Sequence, residues 1–154
     1  MKYKRLESSE LKELEREFIH FLSSAQITGP DWEKMKEVEL ERAEELIDVF
    51  SDLVYEKVMS KIEFLEFRDH KSLNIFHLAN DKIYLLGIRV KENHDLDLIS
   101  DNLFEQWNQG KITSINLVKT EREYIKERGL EVFDLIQTGC FITDDRLFNL
   151  LKKV

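Results

Sequence analysis

One cysteine, one proline and five glycines are a thin supply of the residues that staple, break or bend a backbone in a chain of 154. A single thiol closes no internal disulfide, so nothing in the sequence requires an oxidising compartment. The glycines form neither GxGxxG nor GxxxxGK[ST], and Gly87 and Gly110 stand alone, which excludes the common phosphate-cradling loops. No apolar run approaches the roughly 20 residues of a membrane span. The opening MKYKRLESSELKELE carries positive charge but no apolar stretch behind it, so it does not read as a secretory signal. Cytoplasm is the expected location.

Apolar residues are in good supply. They make up 42% of the chain and include ten Phe, four Tyr and two Trp, enough for a real core. The length fits one domain over 1–154. Charge is lopsided: the chain carries −8, with −6 in residues 1–60 and −2 in the remainder. Such a surface repels nucleic acid and anionic membranes at long range, so neither is an expected partner.

The first sixty residues read as helix. Ser8 or Ser9 caps an apolar stripe of Leu11, Leu14, Phe18, Phe21, Leu22 and Ala25, which predicts a helix over about 9–25. Thr28-Gly29-Pro30-Asp31 is the clearest start signal: Thr28 caps, Pro30 sits in the first turn, and Asp31 reaches back. Ile27 and Trp32 form a staple across it, unless Trp32 packs on the first helix. The second helix runs to about Met59 with an interruption near Val38, and completes a helical hairpin. Its apolar side takes in Leu40, Ala43, Leu46, Ile47, Val49, Phe50, Leu53, Val54 and Val58. A face that wide is expected to meet both the first helix and a sheet.

From Ile62 the period changes to two. Residues 62–67, 73–78 and 83–90 read as three strands of an antiparallel meander, and 112–118 as a less regular fourth. Ser100 or Asp101 caps a short helix ended by Gly110. Thr120 caps a helix reaching about Thr138, with Gly129 inside it at a cost of about 1 kcal/mol relative to Ala. Gly139 ends that helix, and Thr143 caps the last one. The expected class is α+β: an N-terminal helical hairpin packed on an antiparallel β-meander, with C-terminal helices.

The segments MKYKRL, ITGPDWEKMK, AEELIDVFSDLVYEKV and QTGCFITDDRLFNLL touch both ends of the chain, and together they resemble a family of short, uncharacterised cytosolic proteins from Bacteroidota. The resemblance implies a bacterial intracellular protein. It brings no activity, cofactor or binding residue to these positions.

Chemistry must therefore be sought in the residues. Glu41, Glu45, Asp48, Asp52 and Glu56 recur three or four apart along the second helix. Like charges at that spacing work against a helix by a few tenths of a kcal/mol per pair. The row reads as a solvated face, as a landing site for a partner with a basic surface, or as half of a cation site lacking a wrapping loop. Cys140 reads as a buried structural thiol, since Asp144 and Asp145 would raise rather than lower its pKa. His94-Asp95-Leu96-Asp97 resembles part of a metal site but lacks a second histidine at ligand spacing. His77, in a strand between Phe76 and Leu78, shares a face with Ile75 and reads as a partly buried histidine. His20 makes local surface contacts.

With no coherent catalytic set, no cofactor or metal site is expected. The reading is a non-enzymatic protein-interaction or regulatory module, with homodimerisation through the second helix or a sheet edge as one form of it. The alternatives are a small hydrolase in which His77, His94, Cys140 and carboxylates converge, and a small-ligand module with an apolar cavity.

Overall fold

The computed structural model describes residues 1–92 and 94–154. Their contacts gather into two compact units, Met1–Ser60 and Lys61–Val154. The class is α+β, with four helices followed by a five-stranded antiparallel sheet and three further helices among the described residues.

The first unit opens with an extended segment and then α1 (Ser8–Glu13), α2 (Glu15–Ser24), α3 (Gly29–Val38) and α4 (Leu40–Lys61). The N-cap of α1 is Glu7, whose N–H donates to Glu10 Oε1 at 3.2 Å; Ser8 and Ser9, the expected caps, lie inside the helix. Glu7 and Glu10 form a reciprocal capping box, which starts the helix one residue before the serines. α2 ends where Gln26 takes a left-handed turn at φ 61°, and the Ile27 N–H returns to the Leu22 carbonyl at 2.9 Å. This closing bond joins two buried side chains, Leu22 and Ile27, in the core of the unit with Met35 and Ala43.

The Thr28 start signal holds in detail. Asp31 N–H donates to Thr28 Oγ1 at 3.2 Å and Thr28 N–H to Asp31 Oδ2 at 3.1 Å. Trp32 packs on the preceding helix as well, with its ring 5.1 Å from Phe18 in an edge contact. The interruption expected near Val38 is Glu39, whose φ of −132° and ψ of 54° separate α3 from α4.

The apolar side of α4 is narrower than its sequence implies. Leu40, Val49, Leu53 and Val58 are exposed, while Ser51 is fully buried. Serine is tolerated there because both its capacities are used: Oγ accepts from Leu6 N–H at 3.0 Å and donates to the Ile47 carbonyl at 2.7 Å.

The second unit is built on β1 (Phe64–Arg68), β2 (Ser72–Leu78), β3 (Lys82–Val90), β4 (Ile115–Glu123) and β5 (Phe141–Thr143), in spatial order β4-β3-β2-β1-β5. The first four strands form the expected meander. The β1–β2 turn is fixed by Asp69, whose carboxylate accepts from Lys71 and Ser72 N–H at 2.9 and 2.7 Å. Beside the sheet lie α5 (Leu103–Asn108), α6 (Arg128–Gln137) and α7 (Arg146–Lys152). Leu73, Ile75, Leu86 and Ile88 form one core layer with Leu98 and Leu103, and with Leu147, Phe148 and Leu151 of α7.

Four sequence expectations need correction here. Thr120 does not cap a helix: β4 continues through Glu123, because β3 offers a nine-residue partner that pairs Lys82 with Glu123 and Val90 with Ile115. The helix begins only at Arg128, which leaves Gly129 buried in its first turn. Thr143 does not cap α7 but ends β5, opposite Phe64, and the cap position falls to Asp145. Asn102, rather than Ser100 or Asp101, precedes α5. Gly110 and Gly139 do stop their helices, at φ 68° and 111°.

Candidate functional sites: an aromatic cavity and an acidic helix face

Strand register decides what shares one face of the sheet. Thr143 pairs with Phe64, Phe64 with His77, His77 with Tyr84, and Tyr84 with Glu121, so these five form a single row across all five strands. In the next row on that face, Ile75 pairs with Leu86 and Leu86 with Lys119. Alternation along β2 had already placed His77 with Ile75.

The rings in this row stack. Phe64 and His77 lie 4.6 Å apart at 13°, and His77 and Tyr84 lie 5.8 Å apart at 27°. Phe148 comes down from α7 and meets the imidazole edge-on at 5.3 Å. Burial pushes the His77 pKa below the ordinary imidazole value; Lys152 and Arg128 add to this and Glu63 opposes it. The ring is therefore neutral at pH 7.

Beside this stack is a cavity of about 670 Å³, within the range of small-molecule sites. His77, Tyr84 and Leu86 line it from the sheet, Phe148 and Lys152 from α7, and Lys119 and Glu121 from β4. Lys119 Nζ donates to a main-chain oxygen of Val154 at 3.2 Å, and Glu121 faces Lys82 at 3.4 Å. Tyr84, Phe148, Lys119 and Lys152 were not singled out from sequence. Their convergence depends on the β3–β4 register and on the seat of α7, neither of which is encoded locally.

The acidic row lies on α4 as the spacing implies, and three of its five members are engaged by residues 2–5. Asp52 accepts the backbone N–H groups of Lys2 and Tyr3 at 2.7 and 2.8 Å. Glu56 Oε2 accepts from Lys2 Nζ at 2.7 Å and from the Tyr3 hydroxyl at 2.8 Å. Asp48 holds the Arg5 guanidinium through Nε and Nη2. Tyr3 stacks on Tyr55 at 5.8 Å, and Leu6 is buried beyond it. The N-terminal segment thus runs antiparallel to α4. Hydrogen bonds from Arg5 hold the Asp48 carboxyl below its ordinary pKa, and those from Lys2 and Tyr3 do the same for Glu56. Among the described residues, no hydrogen bond or ion pair reaches Glu41 or Glu45.

The residues named for a hydrolase do not meet. His77 lies near one end of β2. His94 is tethered at the other end, where its carbonyl accepts from Lys71 Nζ at 2.7 Å. Lys71, just before β2, and His77 are six positions apart, about 20 Å of extended chain. Asp97 of the His94 segment pairs instead with His70, at 3.0 Å on an exposed turn. Cys140 is buried just before β5, and burial raises its thiol pKa. Among the described residues no three His, Cys, Asp or Glu side chains gather as a metal site, and no helix is long and apolar enough to cross a membrane.

A buried acid, Glu66, escaped the sequence reading. Glu66 is 1% exposed on the core side of β1, and its carboxylate takes Nε and Nη2 of Arg68. Arg68 follows two residues later on the same face, so the i,i+2 charge pair in a strand was the available signal.

No curated protein and no solved structure matches this chain. A family model does, over residues 1–154, and the chain belongs to that family of unknown function, DUF6495.

Proposed function

We propose that this protein is a non-enzymatic binding module whose sheet unit takes a small organic ligand in the cavity between β4 and α7. The observation that carries the reading is the stacked floor of His77 and Tyr84 closed by Phe148, with a few polar groups at the margin of an otherwise apolar space. Nitrogen-15 NMR with an aromatic fragment set tests it. The expected shifts cluster at His77, Tyr84, Leu86 and Phe148 and disappear in Ala79→Trp, which fills the cavity. Shifts scattered over the surface, or none, would sink the proposal.

A second reading, protein recognition or regulation through α4, is favoured by a separate observation. The acidic row already accepts an extended basic segment, Lys2-Tyr3-Lys4-Arg5, in this chain itself. A partner with the same chemistry would compete with that segment and extend onto Glu41 and Glu45. A synthetic KYKR-type peptide is expected to bind the protein lacking residues 1–5 and to lose affinity in the Asp48→Asn/Asp52→Asn variant. Equal binding to both proteins would remove this reading. The setting we propose is a bacterial cytoplasm, supported by the single cysteine and by the resemblance of both chain ends to cytosolic Bacteroidota proteins.

A further inference from the structure

We infer that the ligand of the β4–α7 cavity is an aromatic carboxylate, its ring lying over the His77–Tyr84 floor and its carboxylate held by Lys119 and Lys152. This rests on the cavity reading above and adds the chemical class.

The floor sets the body of the ligand. Phe64 covers one face of the His77 ring and Tyr84 the other, so the imidazole turns its edge to the cavity, and a row of ring edges favours the π-face of a flat group over a branched aliphatic one. The margin sets the charge. Two lysines line it from different elements, Lys119 from β4 and Lys152 from α7, and Glu121, the carboxylate among the described lining residues, already faces Lys82 at 3.4 Å. Lys119 spends one of three N–H donors on a main-chain oxygen of Val154 and retains two. Among the lining side chains the two lysines outnumber the one carboxylate, on a chain whose net charge is −8, which favours a small anion here over other parts of the surface. The imidazole adds no positive charge of its own at pH 7, so the two lysines carry the selection. Separate ammonium points suit a carboxylate accepting from two directions; a guanidinium fork is absent from the lining.

Three probes of one shape separate the claims: 2-naphthoate, 2-naphthylmethanol and 2-naphthylmethylamine, titrated into the full chain and followed by amide shifts. Naphthoate is expected to bind about tenfold more tightly than the alcohol, and the amine most weakly. Lys119→Gln/Lys152→Gln is expected to erase that preference while alcohol binding persists, which also reports that the variant is folded. Lys152→Gln alone, on the exposed end of α7, is expected to remove part of it. Equal affinity for naphthoate and alcohol, or a preference that survives both lysine changes, would overturn the carboxylate assignment and leave the cavity reading standing. Failure of all three probes to bind would overturn both.

Discussion

Arg5 grips Asp48 through two N–H···O bonds, Nε to Oδ1 at 2.5 Å and Nη2 to Oδ2 at 3.0 Å, across 43 residues of sequence. The pair is partly open to water, with side chains 44% and 29% exposed. Solvent screening therefore keeps its contribution small despite the good geometry. A double-mutant cycle over Arg5→Gln and Asp48→Asn is expected to give a coupling below about 1 kcal/mol in urea unfolding. A coupling several times larger would mean that the guanidinium is far less hydrated than its exposure implies.

Asp52 is the more consequential member of the row, because it accepts two consecutive backbone N–H groups. Asp52→Ala is expected to release residues 1–4 while α4 remains helical. The measurement is amide exchange: Lys2 and Tyr3 should lose protection, and Phe50 should keep it. Unchanged protection at Tyr3 would show that its stacking on Tyr55 suffices.

The segment is also expected to detach in acid. Asp48 and Glu56 have pKa values lowered in the folded chain by their Arg5, Lys2 and Tyr3 hydrogen bonds. A lowered carboxylate pKa stabilises above the unfolded value of about 4, and that contribution fades as pH falls through the folded value. Tyr3 proton shifts should thus be flat from pH 7 to about 5 and move below about 4. Movement centred near pH 6.5 would point to a histidine instead.

Gly87 is where the sheet tolerates no side chain. A Cβ there would stand 2.7 Å from Asn74 Oδ1 and 3.0 Å from the Leu73 carbonyl, a backbone atom that has little freedom to retreat. Asn74 Oδ1 is itself buried without a hydrogen-bond partner among the described residues. Gly87→Ala should cost about 1–3 kcal/mol in denaturant unfolding. Asn74→Ala in the same chain should recover part of it, since it removes the atom in closest conflict.

Glu66 and Arg68 give the opposite kind of test. Arg68→Met leaves a fully buried carboxylate without its cation, with an expected loss of about 3 kcal/mol, the low end for a buried pair because Arg68 is partly open to water. Glu66→Leu/Arg68→Met removes both charges and should unfold closer to the wild type than the single variant. If the double change is worse, the pair is fixing strand geometry as well as satisfying charge.

Elements whose determinants are local were legible in the sequence. The Thr28–Asp31 cap, the break near Val38 and the helix-stopping glycines each depend on residues within a turn of one another, and β1, β2 and β3 are joined by short connections. Where a distant strand decides, sequence reading failed. Lys119–Glu123 has the composition of a helix start, but the paired length of β3 holds it extended. Phe141–Thr143 is too short to carry a period and becomes a strand only because β1 lies beside it. The candidate sites divide the same way. Alternation gave the correct face for His77, while the lysines and Phe148 beside it come from elements roughly 40 and 70 residues further along. The spacing of the acidic row was plain, but its occupant was hidden by about 50 residues of intervening chain.

That separation also sets an order of events during synthesis. Lys2, Tyr3 and Arg5 are synthesised well before Asp48, Asp52 and Glu56 exist to receive them, at sequence distances of 43 to 54 residues. At roughly 5–20 residues per second, the basic segment waits on the order of 2–11 seconds without its acceptors. For that interval the cations of the segment lack these acceptors, so its ordered course along α4 forms only after the helix has been made.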